Sequence, residues 1–315
     1  MNQQLVSLRE TYGKTLVELG KENPDIVVLD SDLSKSTMSK FFAAELSGCF
    51  FDCGIAEQNM IGIAAGLAAA GKIPFASSFA VFSPGRCFDQ IRMSIAQPHL
   101  NVKLVSTHGG ITVGEDGTSH QSVEDLALAC ALPGLTVIVP ADAHETEQVV
   151  RAAAASKDPF YIRLCRPALP PVFNQDYRFE IGKAATLRDG VQATIIAIGI
   201  MVTAALEAAD NLKQEGIDCR VLCMSTLKPI DRDAIIQAAA DTGAIVTAEE
   251  HLEHGGLGSS VARVLATNHP VPVEFIAIKD TYAGSGKPAE LLEKCGLTAR
   301  DIEQAVKAVI KRKSG

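Results

Sequence analysis

Residues 52–77 of this 315-residue chain, DCGIAEQNMIGIAAGLAAAGKIPFAS, contain the clearest signal of its fold class. Within them, residues 56–70 are a long run of mostly small and apolar residues with one acid, Glu57, near the start, and this run predicts a helix. The apolar run Ile73–Ser77 follows almost at once and is typical of a buried strand. A helix that leads directly into a buried strand is the repeating unit of an α/β protein with a parallel sheet.

The same alternation continues through the first half of the chain, where short apolar runs are separated by helical patterns. Four further strands are predicted at residues 26–29 (IVVL), 102–107 (VKLVST), 135–140 (LTVIVP) and 160–164 (FYIRL). Four further helices are predicted near residues 9–21, 86–96, 123–131 and 144–155. We therefore expect a doubly wound, mostly parallel sheet.

A Pro-rich segment, Arg166–Gly182, interrupts this rhythm and predicts a linker. The alternation then resumes, with strands near residues 193–198, 219–223, 244–248 and 273–277 and helices near residues 203–215, 231–241, 258–267 and 298–310. We expect a first domain over residues 1–170, a linker over residues 171–190, and a second, smaller α/β domain over residues 191–315.

The composition narrows the classes of protein to consider. A hydrophobic content of 47% allows one or two sizeable cores, and a net charge of −8 provides no basic field for nucleic acid or anionic lipid. The two C-x3-C pairs, Cys49/Cys53 and Cys219/Cys223, have no second pair beside them, so the eight cysteines are expected to be buried thiols of a cytoplasmic protein. We expect no export signal and no membrane span.

Polar residues collect where the predicted strands of the first domain end. They lie in segments 30–37, 78–86 and 108–120 and at Arg163 and Arg166. Ligands of open parallel sheets bind outside the carboxyl ends of the strands, so these segments are expected to converge. Taken singly, each has a plainer explanation: Glu57 as an electrostatic helix cap, Phe79 and Phe82 as core residues, and Arg86 as a solvated charge.

Several familiar site motifs are missing from the sequence. No G-x-G-x-x-G follows the first strand, and no G-x4-G-K-[ST] occurs, which argues against the common nucleotide-binding loops. The G-x-S-x-G turn of serine hydrolases is also absent. An anionic substrate would therefore be held by local Arg and His side chains.

A series of motifs over almost the whole chain resembles the C-terminal portion of transketolase. In order, these are D-S-D-L…S (30–36), G-I-A-E-Q-N-M (54–60), F-A-V-F (79–82), F-D-Q-I-R (88–92), T-H-G-G…G-E-D-G-x-S-H-Q (107–121), R-P (166–167), K-P-I-D (228–231), E-E-H…G-G-L-G (249–258) and S-G-K-P-A-E-L-L (285–292). The resemblance implies a pyrimidine-binding domain of a thiamine diphosphate enzyme, followed by a C-terminal domain with a largely structural role.

The resemblance also implies roles for particular residues. Glu57 is similar to the carboxyl group that hydrogen-bonds the pyrimidine ring of thiamine diphosphate and so promotes loss of a proton from the thiazolium carbon. Phe79 and Phe82 resemble the aromatic wall against that ring. The groups expected to contact the sugar carbonyl and hydroxyls are His108, Asp116 and His120, with both histidines catalytic. The expected cradle for the sugar phosphate consists of Arg9, Ser36, His108 and Arg166, since guanidinium groups suit phosphate.

Full-length transketolases also carry a G-D-G…N motif that binds the diphosphate through Mg²⁺, and this sequence does not contain it. The oxygen ligands that Mg²⁺ needs are not evident either, so no metal site is expected in this chain. We expect a split transketolase, in which an N-terminal partner subunit holds the diphosphate and Mg²⁺. The assembly is expected to contain a homodimer of this chain within a heterotetramer, and to act on sugar phosphates in the pentose phosphate pathway.

Three alternatives remain open from the sequence. The chain is also similar to part of a deoxyxylulose-phosphate synthase, which shares the I-A-E-Q and H-Q pieces. It resembles the beta subunit of a 2-oxo acid dehydrogenase less closely, because of its paired site histidines. A non-catalytic, regulatory relative is the third alternative, and the presence of Glu57, His108, Asp116, His120 and Arg166 argues against it.

Overall fold

The computed structural model describes residues 4–313, in which twelve strands form two sheets. The strands are β1 (Ile26–Asp30), β2 (Phe50–Asp52), β3 (Ile73–Phe79), β4 (Lys103–Thr107), β5 (Thr136–Ile138), β6 (Phe160–Arg163), β7 (Ala185–Arg188), β8 (Ala193–Ala197), β9 (Cys219–Cys223), β10 (Thr226–Lys228), β11 (Ile245–Leu252) and β12 (Val273–Ile278). The α-helices are α1 (Leu8–Glu22), α2 (Ser34–Thr37), α3 (Lys40–Glu45), α4 (Glu57–Ala69), α5 (Phe88–Ile91), α6 (Asp125–Ala131), α7 (Ala143–Ala155), α8 (Met201–Gln214), α9 (Arg232–Thr242), α10 (Leu257–Asn268), α11 (Pro288–Lys294) and α12 (Ala299–Lys313).

The first sheet has the strand order β10-β5-β6-β4-β3-β1-β2. All neighbouring strands are parallel except β10, which runs antiparallel to β5. From β1 the chain adds β2 on one side and β3 on the other, so the strand order reverses between β1 and β3. The loops that follow two such strands diverge, and this leaves a crevice at the carboxyl ends of the strands.

The second sheet has the order β12-β11-β8-β9-β7, with β7 antiparallel to β9 and the other pairs parallel. The predicted fold class, two α/β domains with mostly parallel sheets, is therefore confirmed. The buried runs predicted as strands are all strands, because Val, Ile and Leu on both faces of a sheet leave the chain few other ways to exclude water.

The structure differs from the sequence prediction in its short edge strands. Strand β7 lies inside the predicted linker, residues 171–190, so the second sheet begins before residue 191. Strand β10 comes from the second half of the chain and pairs with β5 at the edge of the first sheet. Strands of three or four residues, such as β2, β7 and β10, are too short to show a period-2 pattern. The helix predicted over residues 86–96 is α5 followed by a π-helical segment, Arg92–Ala96.

The two halves of the chain pack together in a common hydrophobic core. One hydrophobic cluster contains Val137 of β5 and Val139 just after it, together with Leu222 and Met224 from the second half of the chain. The sheets therefore do not depend on the linker alone to stay together. Within residues 4–313, none of the helices combines the length and the apolar character needed to cross a membrane.

Candidate functional site

Glu57 lies in the first turn of α4, at the carboxyl edge of the first sheet. Strand β2 ends at Asp52, whose Oδ1 accepts hydrogen bonds from the backbone N–H groups of Asp32 (3.2 Å) and Gly54 (3.0 Å). Gly54 has a φ of +68°, which glycine adopts without strain, and this turn directs the chain into α4. The Glu57 side chain is only 4% exposed, so a carboxyl group is held inside the protein at the positive end of a helix.

Arg86 is the partner of this buried carboxyl group. Its Nη1 lies 2.9 Å from Glu57 Oε2, and its guanidinium carbon lies 4.6 Å from the centre of the Phe82 ring. Gln58 Nε2 donates a hydrogen bond to the Arg86 carbonyl oxygen (2.9 Å), which fixes the backbone there. The planar guanidinium group of Arg86 thus lies over the Phe82 ring and donates to Glu57. Because the Arg86 side chain is 48% exposed, it can move into water when another group takes its place.

A row of aromatic rings extends from Arg86 to two histidines. Phe79 and Phe82 are stacked with ring centroids 5.8 Å apart and planes inclined by 12°. The His108 ring stacks on Phe79 at 3.9 Å, and the His120 ring meets Phe82 edge-on at 5.5 Å. Since Phe82 and His120 are partly exposed, this row of rings forms one wall of a cleft that water can reach.

His108 follows β4 with a φ of +60°, a left-handed conformation that His tolerates better than most residues. Its Nδ1 lies 2.8 Å from Thr107 Oγ1, which orients the ring. Burial lowers the pKa of His108 to about 3, with smaller contributions from the charges of Arg9, Arg166 and His120. His108 is therefore uncharged at neutral pH and meets a ligand as a hydrogen-bond donor or acceptor, not as a cation.

Asp30 organises the loop that follows β1. Its carboxyl oxygens accept hydrogen bonds from the backbone N–H of Leu33 (2.6 Å) and the hydroxyls of Thr37 (2.7 Å) and Ser39 (2.8 Å). Burial raises the pKa of Asp30 to about 6. This web holds α2, and with it Ser36, at the edge of the sheet.

Arg9, from α1, ties that loop to the end of the first domain. Its Nη1 donates to the Ser36 carbonyl oxygen (2.7 Å) and its Nη2 to the Arg166 carbonyl oxygen (3.1 Å). The Arg9 guanidinium is thus committed to backbone groups on two sides of the cleft. Its role in this structure is to place Ser36 and Arg166 beside each other.

Arg166 is more available than Arg9. Its Nη1 donates to the Val113 carbonyl oxygen and lies 3.6 Å from Asp116 Oδ2 and 3.7 Å from Glu115 Oε2. The Arg166 side chain is 38% exposed, and exposed pairs of this length stabilise a protein little. A doubly charged anion can therefore take their place on the Arg166 guanidinium.

The structure brings all the residues named from the sequence to one edge of the first sheet. Two groups of contacts are present among them. Arg86 links Glu57 to the rings of Phe82, Phe79, His108 and His120, and Arg9 links Ser36 to Arg166, which lies beside Asp116. The sequence left Arg86 undecided, because nothing local distinguishes a solvated arginine from one that reaches a carboxyl group 29 positions away. Among residues 4–313, no three His, Cys, Asp or Glu side chains are grouped so as to hold a metal ion.

Comparison with known proteins places both halves of the chain. The family described as "Transketolase, pyrimidine binding domain" matches residues 4–171, and "Transketolase, C-terminal domain" matches residues 182–302. A solved structure described as "Split gene transketolase, inactive beta4 tetramer" is 53% identical with a TM-score of 0.91, and the alignment covers 98% of this chain and 99% of that chain.

The share of a relative that this chain covers depends on the length of that relative, as two examples show. The 6-deoxy-6-sulfo-D-fructose transketolase subunit SqwH of Clostridium sp. (strain MSTE9) is 42% identical over 307 residues, which are 98% of this chain and 95% of that protein. Human transketolase is 39% identical over 309 residues, which are 97% of this chain but 49% of that protein. The chain thus corresponds to a whole subunit in one relative and to about half of a longer chain in the other.

Proposed function

Because the chain belongs to the transketolase family, we propose that it is one subunit of a thiamine diphosphate-dependent transketolase. With a partner subunit it transfers a two-carbon ketol unit from a ketose phosphate, such as xylulose 5-phosphate, to an aldose phosphate. The observation that carries the proposal is the single edge of the first sheet at which Glu57, Phe82, His108 and Arg166 lie together. The domain that carries them binds the pyrimidine ring, and its boundary lies in the segment 171–190.

The residues at this edge fit an aminopyrimidine ring. Arg86 already shows that a flat group with N–H donors can lie over Phe82 and bond to the Glu57 carboxyl group. A pyrimidine ring needs the same two contacts, an aromatic face and a carboxyl group that shares a proton with a ring nitrogen. When bound, thiamine diphosphate supplies the electron-accepting thiazolium ring needed to cleave the carbon–carbon bond of the ketose.

Different side chains of this chain then contact the cofactor and the sugar. Glu57 holds or releases a proton at the pyrimidine nitrogen, because its buried carboxyl group lies at the start of α4 within reach of a flat group stacked on Phe82. His108, uncharged, and His120, half-exposed, hydrogen-bond the carbonyl and hydroxyl oxygens of the sugar. Asp116, which is 44% exposed and lies 3.6 Å from Arg166, accepts a hydrogen bond from a sugar hydroxyl.

Arg166 holds the charged end of the sugar, with Ser36 and the Arg9 anchor beside it. One relative is named for a sulfonated sugar, and sulfonate and phosphate are both tetrahedral anions that a guanidinium group binds well. We assign phosphate to this chain. Comparing the rates of transfer from a phosphorylated and a sulfonated donor sugar, in the transfer assay of the complex described below, decides this assignment.

The partner subunit supplies the diphosphate and Mg²⁺ site, and the complex works in the cytoplasm. The support for a partner is that relatives of the same length are described as subunits or as a split transketolase, whereas human transketolase is about twice as long. The decisive experiment is to identify the protein that co-purifies with this chain and to assay the complex. Transfer from xylulose 5-phosphate to an aldose phosphate supports the proposal, whereas product from pyruvate and glyceraldehyde 3-phosphate indicates a deoxyxylulose-phosphate synthase.

A homodimer of this chain completes the proposed assembly. Gly62 and Gly66 lie on an exposed face of α4, and a Cβ added to either would have no atom within 4 Å. Glycine inside a helix costs about 1 kcal/mol relative to alanine, which is reasonable where a second helix must approach closely. Ile63, 37% exposed, lies on the same face and would be covered.

Sedimentation of the isolated chain tests the α4 interface. Wild type is expected to be at least a dimer at micromolar concentration, and Gly66→Leu is expected to raise the dimer Kd about 10-fold or more. Gly48→Leu is the matched control, since its Cβ also faces open space but lies outside α4. A wild-type monomer, or a dimer that tolerates Gly66→Leu as well as Gly48→Leu, would exclude this interface.

A further inference from the structure

Glu250 in the second domain reaches across to the segment that carries the site histidines. We call residues 108–122, which follow β4 and include His108 and His120, the histidine loop. Glu250 lies near the end of β11 and is 2% exposed, and its Oε1 accepts a hydrogen bond from the backbone N–H of Thr112 (2.7 Å). A Cβ added to Gly110 would lie 2.1 Å from the Glu250 carboxyl carbon, so the carboxyl group packs directly on the loop backbone.

Arg163 secures the two ends of the histidine loop. Its Nη2 donates to the Ser122 carbonyl oxygen (3.2 Å) and to the carbonyl oxygen of Glu250 (2.9 Å). A Cβ added to Gly109 would lie 2.2 Å from Arg163 Nε, so the guanidinium also packs on the start of the loop. The N–H of Gly110 donates to the Ser122 carbonyl oxygen (2.8 Å), which closes the loop at its base.

The second domain touches the outer part of the loop as well. Ser285 Oγ donates to the Glu115 carbonyl oxygen (2.6 Å), and Gln121 Nε2 donates to the Gly284 carbonyl oxygen (2.6 Å). The loop is therefore held between the two domains along its length. Of these contacts, the one from Glu250 is the most deeply buried and uses a carboxyl oxygen, which is the stronger type of acceptor.

We propose that Glu250 is a positioning residue for the reaction: it fixes the backbone of the histidine loop and thereby the places of His108 and His120 in the cleft. The second domain is then part of the catalytic apparatus. This inference rests on the proposed function for its catalytic consequence, while the hold on the loop is independent of it.

Hydrogen exchange on the full-length chain tests the hold on the loop. Glu250→Gln keeps an acceptor oxygen at the same reach, whereas Glu250→Asp keeps the charge but is one methylene too short for the Thr112 N–H. We expect amides of residues 109–122 to exchange about 10-fold faster in Glu250→Asp and to stay near wild type in Glu250→Gln. Normal loop protection in Glu250→Asp would overturn the proposal, because it would show that the reach of the side chain to the Thr112 N–H does not matter. An equal loss in both variants would also overturn it, because the acceptor oxygen that Gln keeps would then not hold the loop.

Glu249 offers a matched control on the neighbouring position. It is 1% exposed, and its carboxyl oxygens accept from the backbone N–H groups of Leu257 and Gly258 (2.7 Å each) at the start of α10, away from the histidine loop. Glu249→Asp is expected to speed exchange near residues 257–260 and to leave residues 109–122 unchanged. Faster exchange of the histidine loop in this control would mean that any buried acid in β11 has the same effect, and would overturn a specific role for Glu250.

The reconstituted complex tests the catalytic consequence. Glu250→Asp is expected to lower kcat about 10-fold with phosphorylated and unphosphorylated donors alike, because displaced histidines misalign any donor. Glu250→Gln is expected to keep most of the wild-type activity. Wild-type kcat in Glu250→Asp, despite a loosened loop, would overturn the positioning role. If the wild-type complex lacks transketolase activity altogether, the proposed function fails while the exchange result still stands.

Discussion

The carboxyl ends of the two parallel sheets differ, although the sheets are built alike. In the first sheet, Glu57, Phe82, His120 and Arg166 line an edge that water can reach, which we call the open edge. In the second sheet, the residues after β8, β9 and β11 face the first domain, and we call this the closed edge. At the closed edge, the Ser225 carbonyl oxygen accepts from the Val139 N–H (2.8 Å), and a Cβ added to Gly199 would lie 2.8 Å from the Val139 side chain.

Polar side chains are used differently at the two edges. At the closed edge, Glu249 accepts from two N–H groups of α10, Glu250 from the histidine loop, and His251 Nε2 from the Ala127 N–H (3.3 Å) in α6. Each of these groups completes the hydrogen bonding of the protein's own backbone. At the open edge, Arg86 and Arg166 instead make partly exposed ion pairs, which a ligand can replace. The fold alone therefore does not make a site, and the candidate site residues lie where the edge is left uncovered.

The largest expected effect concerns stability at the boundary between the domains. Arg163 Nε lies 3.0 Å from Asp125 Oδ2, with both side chains almost fully buried, and the Tyr161 hydroxyl donates to the same oxygen (2.8 Å). Asp125→Ala is expected to lower the free energy of unfolding by about 3–5 kcal/mol, because it leaves Arg163 buried without its carboxylate partner. Urea denaturation of the full chain measures this loss. Glu45→Ala, which removes the partner of the exposed Lys21, is the control, and an equal loss in both variants would mean that the buried Asp125–Arg163 pair stabilises the protein no more than an exposed pair.

The next effect concerns activity at the open edge. Glu57→Ala is expected to lower the turnover of the reconstituted complex by at least about 10²-fold, because it removes the carboxyl group that we propose shares a proton with the pyrimidine ring. The fold should be retained, since the half-exposed Arg86 can hydrate once its partner is removed. Glu57→Gln should be similarly inactive, because an amide cannot exchange the proton. Wild-type turnover in either variant would remove Glu57 from the mechanism.

Arg166→Ala should produce a smaller and more selective loss. Deleting a charge-assisted hydrogen bond is expected to raise KM for phosphorylated donors about 10- to 150-fold, with kcat less affected because the phosphate is remote from the reacting bond. Hydroxypyruvate, which carries no phosphate, serves as the control donor in the same preparation. Equal losses with both donors would mean that Arg166 supports the structure instead of binding phosphate.

The smallest effect is a pH dependence that His108 imposes on stability. Because the pKa of His108 is lowered from its ordinary 6.5 to about 3, the unfolded chain binds a proton in this range and the folded chain does not. The stability of wild type should therefore fall relative to His108→Asn as the pH drops below 6.5, by about 1 kcal/mol between pH 6.5 and 5.5. Asn also tolerates the positive φ. If the free energy of unfolding changed with pH in the same way in wild type and His108→Asn, His108 would not be held uncharged in the folded protein.

The open edge was largely predictable from the sequence, and the closed edge was not. Residues such as Glu57 and His108 directly follow apolar runs that are recognisable as strands or begin a recognisable helix, and parallel topology then brings them together. The contact from Glu250 to Thr112 spans 138 positions, and no local pattern indicates it. The same holds for Arg86, whose role depends on a carboxyl group in another element. Strands β7 and β10 were missed because short edge strands with polar residues carry little periodic signal.

We infer that this chain provides the pyrimidine half of a cofactor site that it shares with a partner subunit. The experiment is isothermal titration of thiamine diphosphate and Mg²⁺ into the isolated, monodisperse chain, and then into its complex with the partner subunit. We predict no tight binding by the isolated chain and micromolar or tighter binding by the complex. Micromolar binding of the cofactor by the isolated chain would contradict the split site.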